Sequence, residues 1–240
     1  MIEARRLKIM EDYFIAVEAG ESGTCAKILH AKPHVNVGDH VDPRNVIGSL
    51  VRSPFYSFWT DLHIHVEVRP VNDRLRARGG YNLDPTPTLS QLKLNCRTSE
   101  SFRVVETSDR YTLLEPVGPT QSFTPPVTLS LQGIPFALEG GVTHYGHGAI
   151  WNRHRGLSKE ILGQLKKLFQ IDLEQNGYFH FNCPKRATIV RGCEYRGIGL
   201  NLNDPYVKLI PKRIGCETMS VGDELSANEI LPFADALGQL

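Results

Sequence analysis

The stretch Asp61-Leu-His-Ile-His-Val-Glu-Val-Arg69 alternates strictly between polar and apolar residues. A strand sends successive side chains to opposite faces. Leu62, Ile64, Val66 and Val68 therefore share one face, and Asp61, His63, His65, Glu67 and Arg69 share the other. An α-helix does not satisfy that period, so the segment is expected to be a strand. Two histidines two residues apart on a strand project their imidazoles to the same side. That is how a strand supplies two ligands to one metal, or one ligand plus one proton-transfer group. The plainer account of the same pattern is a half-buried strand with its apolar face on a core and its polar face in solvent.

The remainder of the 240 residues bounds what this strand can serve. Hydrophobic residues make up 41% and charged residues 22%, an ordinary globular composition with enough chain for a sizeable core. The formal net charge is +1, so no strong field argues for nucleic acid or an anionic membrane surface. No apolar run reaches the length of a membrane span. The first residues, Met1 to Met10, alternate charged and apolar positions and lack a secretory core; a cytoplasmic location is the expectation. Cys25, Cys96, Cys183, Cys193 and Cys216 form no Cys-x-x-Cys pair and read as reduced thiols. Fifteen prolines and 21 glycines among many Val, Ile and Thr residues predict a mainly β (α+β) chain with many turns.

Taken in order, residues 4–18 and 25–31 read as strands separated by a Gly-rich turn. Val35 to Gly48 carries short apolar pairs around a Gly-Asp turn and a second polar turn. Residues 49–60 hold an aromatic cluster, Phe55, Tyr56, Phe58 and Trp59, leading into the histidine strand. A Pro-rich segment near residues 84–90 reads as a linker, which divides the chain into domains at 1–90 and 91–240. The second domain is expected to be β-rich with one clear helix over about 157–169. There Ser158 is an N-cap candidate, and Ile161, Leu162, Leu165, Leu168 and Phe169 keep the spacing of one buried face.

Val35 to Gly48 resembles the Val-x-Val-Gly-Asp-x-Val-x-x-Gly-x-x-Ile-Gly hairpin shared by biotinyl/lipoyl domains and the lysostaphin-like zinc endopeptidases (peptidase family M23). It departs at Arg44, where the family usually has Gly. Leu62-His-Ile-His-Val-Glu-Val-Arg69 resembles the endopeptidase His-Leu-His-Phe-Glu-Val-Arg strand. Asn82 to Leu89 resembles the Asp-Pro-x-x-Leu segment that follows it. A carrier domain would need a modifiable lysine at a hairpin tip, and residues 49–60 hold none. The resemblance covers about residues 14–90, the C-terminal half of the family's motif. It implies a barrel-sandwich hybrid fold, His65 as a zinc ligand, and His63 and His30 as catalytic histidines. The implied reaction is hydrolysis of a peptide-like amide.

The family's other zinc ligands come from an upstream His-x-x-x-Asp motif, and residues 1–29 contain no histidine. The second half offers candidates: His144 and His147 lie three apart in a glycine-rich stretch and are expected to complete a zinc site with His65. Asp84, Glu67 and Glu139 are carboxylates that could join them. A tight structural turn accounts for His144 and His147 equally well. Two functions follow. One is a zinc-binding, lysostaphin-like amide hydrolase. The other is a non-catalytic scaffold that binds a peptide or protein partner, with the aromatic cluster of residues 55–59 as its contact. Neither involves nucleic acid or a membrane, and both are compatible with a homo-oligomer.

Overall fold

The computed structural model describes residues 2–7, 12–20, 22–53, 61–76, 79–94, 99–118, 125, 127–142, 144–153, 156–175, 177–182, 188–202, 204–216 and 219–230. For 2–7, 173–175 and 188 it describes the backbone alone. The aromatic cluster of residues 55–59, Cys96, Cys183 and Arg78 lie outside the described residues. The chain is mainly β and divides into two units, Met1–Asp84 and Pro85–Leu240, so the division falls a few residues before the expected boundary.

In the first unit, β1 (Ile2–Leu7), β2 (Asp12–Glu18), β3 (Thr24–Leu29) and β6 (His65–Pro70) form an antiparallel sheet in the order β1-β2-β3-β6. β4 (Ala31–Pro33) and β5 (Gly48–Leu50) pair separately. The register fixes two faces. Ile15, Ile28 and Val66 are cross-strand neighbours on one face, and Phe14, Leu29 and His65 on the other. Ile15 and Val17 pack with Ala31, Ile28, Val35, Val41 and Ile47, which places the Val35–Gly48 segment over the first face. The second face is the unusual one. It buries Phe14, Ala16 and Cys25 together with the charged Lys27 and Arg69.

The histidine strand therefore does not sit as its hydropathy predicts. Leu62, Ile64 and Val66 are exposed at 49%, 56% and 46%, and the polar residues of the same strand turn inward. Ladder geometry begins only at His65, opposite Leu29, where β3 ends and His30 turns to φ 66°. The inward polar side chains are satisfied largely by one another: Glu67 by Arg69 and by Lys27 on β3, and Arg69 also by Asp73.

The hairpin segment explains its own departure from the family pattern. Arg44 adopts φ 80° in the turn where the pattern has glycine, and Gly38 adopts φ 96°. Gly48 meets a different demand: a Cβ there would lie 2.6 Å from the Lys32 carbonyl oxygen. Met219 to Leu225, which repeats the Val-Gly-Asp sequence, also repeats the turn. Asn36 N–H donates to Asp39 Oδ2 at 2.7 Å and Ser220 N–H to Asp223 Oδ2 at 2.9 Å; in each case the Asp N–H donates back to the first residue's carbonyl. The echo is one turn and extends no further, since β17 (Glu224–Ser226) then pairs with β7 (Ser101–Thr107).

The second unit is built on a large antiparallel sheet. Its strands are β7, β8 (Thr112–Pro116), β9 (Thr128–Leu131), β10 (Ile134–Val142), β11 (His147–Trp151), β12 (Gln170–Gln175), β13 (Tyr178–Asn182), β14 (Thr188–Val190), β15 (Cys193–Leu200), β16 (Val207–Pro211) and β17. The main order is β12-β13-β11-β10-β15-β16-β8-β7-β17, with β9 on β10 and β14 on β15. Two single-turn helices, α1 (Thr86–Leu89) and α3 (Ala227–Ile230), flank the long helix α2 (Lys159–Leu168). α2 matches its sequence signature. Ser158 Oγ accepts from Ile161 N–H at 3.2 Å, a cap that contributes about 1 kcal/mol. Ile161 and Leu165 are buried in the main core with Phe102, Phe136, Leu138 and Phe181.

Candidate functional site

His30, His63 and His65 come together in the first unit. His30 follows β3 and holds φ 66°, in the left-handed region that costs an L-residue about 1–2 kcal/mol. Its backbone is held at both ends: N–H donates to Tyr13 O at 3.0 Å, and its carbonyl accepts from Val51 N–H at 2.9 Å. Strain that the surrounding backbone enforces is common at functional positions. His65 opens β6 in register with Leu29 and Phe14, and His63 lies two residues earlier. The His30 ring centroid is 4.5 Å from that of His63 and 6.4 Å from that of His65.

Two residues that sequence reasoning did not single out complete the pocket. Asp12, the first residue of β2, accepts from His30 Nδ1 at 3.0 and 2.9 Å on its two oxygens. Ser53, just beyond β5, donates its hydroxyl to Asp12 Oδ2 at 2.6 Å. His30, Asp12 and Ser53 are 2%, 5% and 6% exposed. The only sequence signal for Asp12 is a carboxylate opening an apolar strand; its pairing across 18 residues with His30 depends on β2–β3 register.

These contacts assign protons. A carboxylate can only accept, so His30 Nδ1 carries the hydrogen and the lone pair lies on Nε2. His63 Nδ1 is 3.0 Å from the Asp61 carbonyl, which also can only accept; His63 too carries its lone pair on Nε2. The Nε2 atoms of both rings are buried. Burial is the main reason the His30 imidazole is held below its ordinary pKa; the bond to Asp12 and its charge oppose this, and His63 and His65 add to it. A neutral imidazole with a fixed tautomer is suited to take a proton or to meet a Lewis acid. Ser53 is not the nucleophile of a Ser-His-Asp relay, because its hydroxyl donates to the carboxylate and not to the basic nitrogen of His30.

Zinc fits this pocket in kind: a carboxylate or carbonyl behind each imidazole is the usual outer shell of a histidine metal ligand. It does not fit in number. Among the described residues no group of three or more His, Cys, Asp or Glu side chains is arranged to hold a metal ion, and a catalytic zinc takes about three protein ligands.

His144 and His147, the other expected ligands, belong to the second unit. They flank Tyr145 in the β10–β11 turn, with ring centroids 4.7 and 6.0 Å from the tyrosine. The Tyr145 ring fills the space over Gly141, where a Cβ would lie 1.8 Å from Cδ2. His144 Nδ1 lies 3.3 Å from the Val142 carbonyl. Burial pushes the His144 pKa down to about 4, opposed by that carbonyl and aided by Lys208, Arg196 and His147. Glu139, on β10, is pushed up to about 7 by burial. Of the other carboxylates, Glu67 approaches His65 Nε2 at 3.5 Å.

Residues 2–85, almost the span of the first unit, match the N-terminal domain of a family described as a domain of unknown function (DUF8155). Comparison with curated proteins and with solved structures gave no match. The match sets the histidine pocket within one recurring domain. Among the described residues no helix is long and apolar enough to cross a membrane.

Proposed function

We propose that the first unit carries a histidine-based hydrolytic site of the lysostaphin-like type, acting on a peptide-like amide. The observation that carries this reading is the pair of imidazoles, His30 and His63, each fixed with its basic nitrogen at a buried Nε2. In such a site one neutral imidazole takes a proton from a water as its oxygen attacks the amide carbon. The imidazolium then returns a proton to the amide nitrogen as the C–N bond breaks. Asp12 holds His30 in orientation and stabilises its charged form during the step. His65 is the residue that would meet a zinc ion, but no step is derived through the metal because the described ligand set is too small.

Incubation of the full chain with a defined peptide library, with and without added zinc, tests the reading by mass spectrometry of products. Cleavage that falls about 100-fold or more in His30→Ala and His63→Ala is expected. Absence of cleavage in both conditions would remove the hydrolytic claim.

A second reading has its own observation: the exposed apolar residues Leu62, Ile64 and Val66 leading into β6. It describes a non-catalytic module that lays a peptide along this row. Peptide binding that survives His30→Ala and His63→Ala but fails in Ile64→Ser would favour it.

A further inference from the structure

β10 sends alternate residues to opposite faces of the large sheet. Phe136, Leu138 and Val142 enter the main core, so Ala137, Glu139 and Gly141 share the other face. Antiparallel register carries that face onto two neighbouring strands. Ala137 and Glu139 lie opposite Trp151 and Ala149 on β11, and these lie opposite Tyr178 and His180 on β13. Glu139 and His180 are thus two strand spacings apart, about 10 Å, with only the Ala149 methyl between them. Aromatic rings wall both sides of this row. On one side Trp151 packs with Leu89, Leu92 and Tyr178, and the Tyr178 ring centroid is 5.0 Å from that of His180. On the other, the Tyr145 ring covers Gly141, two residues along β10 from Glu139.

In this setting the Glu139 charge is unanswered. Among the described residues no hydrogen bond or ion pair reaches its carboxylate, and burial alone acts on its titration. Lys208 and Arg196, the cations that bear on His144, are turned to other groups. Lys208 Nζ lies 4.4 Å from the Tyr111 ring centroid, and Arg196 Nε donates to the Lys212 carbonyl at 3.3 Å. A carboxylate taken from water without a partner is costly, and a strand facing only apolar cover would be better served by an uncharged side chain. Glu139 is nevertheless partly exposed, so a ligand can reach it.

We propose that this face of β10, β11 and β13 binds an organic cation, a primary ammonium on a short apolar chain, with Glu139 as its anionic contact. The ammonium N–H groups satisfy the carboxylate oxygens in charge-assisted hydrogen bonds. The partly exposed rings of Tyr145 and Tyr178 attract the charge through their faces and cover the chain. The site lies in the second unit and goes beyond the hydrolytic reading, on which it does not depend.

Titration of n-butylammonium chloride into the full chain tests it at pH 8. There Glu139 is ionised, and the probe stays protonated as a lysine side chain does. The Ala149 methyl, set between Glu139 and His180, reports binding in ¹H–¹³C spectra, and Ala149→Gly assigns its signal. A saturable shift with half-saturation at about 1 mM or below is expected. Glu139→Gln keeps the side-chain volume and removes the charge, so half-saturation should rise about tenfold or more. n-Butanol, which has the chain without the charge, should give no saturable shift. Glu139→Gln gives up a costly buried charge, so it folds at this pH and its loss of binding is not a loss of structure. A wild-type chain without a saturable shift, equal half-saturation in Glu139→Gln, or an equal response to n-butanol overturns the proposal.

Discussion

Asp12→Ala removes the carboxylate on which three donors converge: His30 Nδ1 at 2.9 Å, Ser53 Oγ at 2.6 Å and the Tyr13 N–H at 2.9 Å. Asp12, His30 and Ser53 are all buried. Each buried donor left without its acceptor costs about 1–3 kcal/mol, and neighbouring losses add less than fully. The first unit should lose about 3 kcal/mol. Asp12→Asn keeps the shape and one acceptor but gives up the charge, which roughly halves the strength of the bonds; about 1–2 kcal/mol is expected. Urea unfolding followed on backbone amide signals from β2 and β3 isolates this unit. The pH dependence adds a second arm. His30 is held below its ordinary pKa, so the stability it contributes is present above about pH 6.5 and is lost as pH falls below that value. Asp12 opposes the lowering, so acidification from pH 7.5 to 5.5 should cost Asp12→Asn more than the wild type. The reasoning is refuted if Asp12→Ala lies within about 0.5 kcal/mol of wild type, or if acidification hurts the Asn variant less.

Two further outcomes follow from particular residues. Arg44→Gly relieves an exposed residue held at φ 80° and should stabilise the first unit by about 0.5–1 kcal/mol in the same urea experiment. Glu139, raised to about 7 by burial, favours the folded state below about pH 4.5 and loses that advantage as pH rises toward 7. Glu139→Gln should therefore stabilise the second unit at pH 8 by about 2 kcal/mol and have little effect at pH 4, as read by unfolding followed on β10 amide signals.

What the sequence made legible was local. Helix α2 could be read because a serine cap and an apolar stripe lie within a few turns of each other, and both are where they were expected. The Gly-Asp turn at Asn36–Asp39 could be read for the same reason. The alternation at Asp61–Arg69 gave a strand, which forms from His65 onward. It gave the wrong face to the core, because Glu67 and Arg69 satisfy each other and are joined by Asp73 and, from β3, by Lys27, a mutual pairing of charges that hydropathy does not register. His30, His63 and His65 were foreseen as a group through the family resemblance, and they do come together. Asp12 and Ser53 were not foreseen, since each is joined to the pocket only through long-range register. The order of strands in the large sheet is likewise non-local, and no periodicity encodes that β10 pairs with β15.

The central claim is that His30 and His63 are two imidazoles set with their basic nitrogen at a buried Nε2. The histidine nitrogen spectrum of the wild-type chain tests it without assuming a metal, a substrate or an activity. The account predicts that both rings appear as Nδ1–H tautomers at alkaline pH, with the His30 signal losing that preference in Asp12→Ala. A wild-type spectrum in which either ring is predominantly Nε2–H would contradict it.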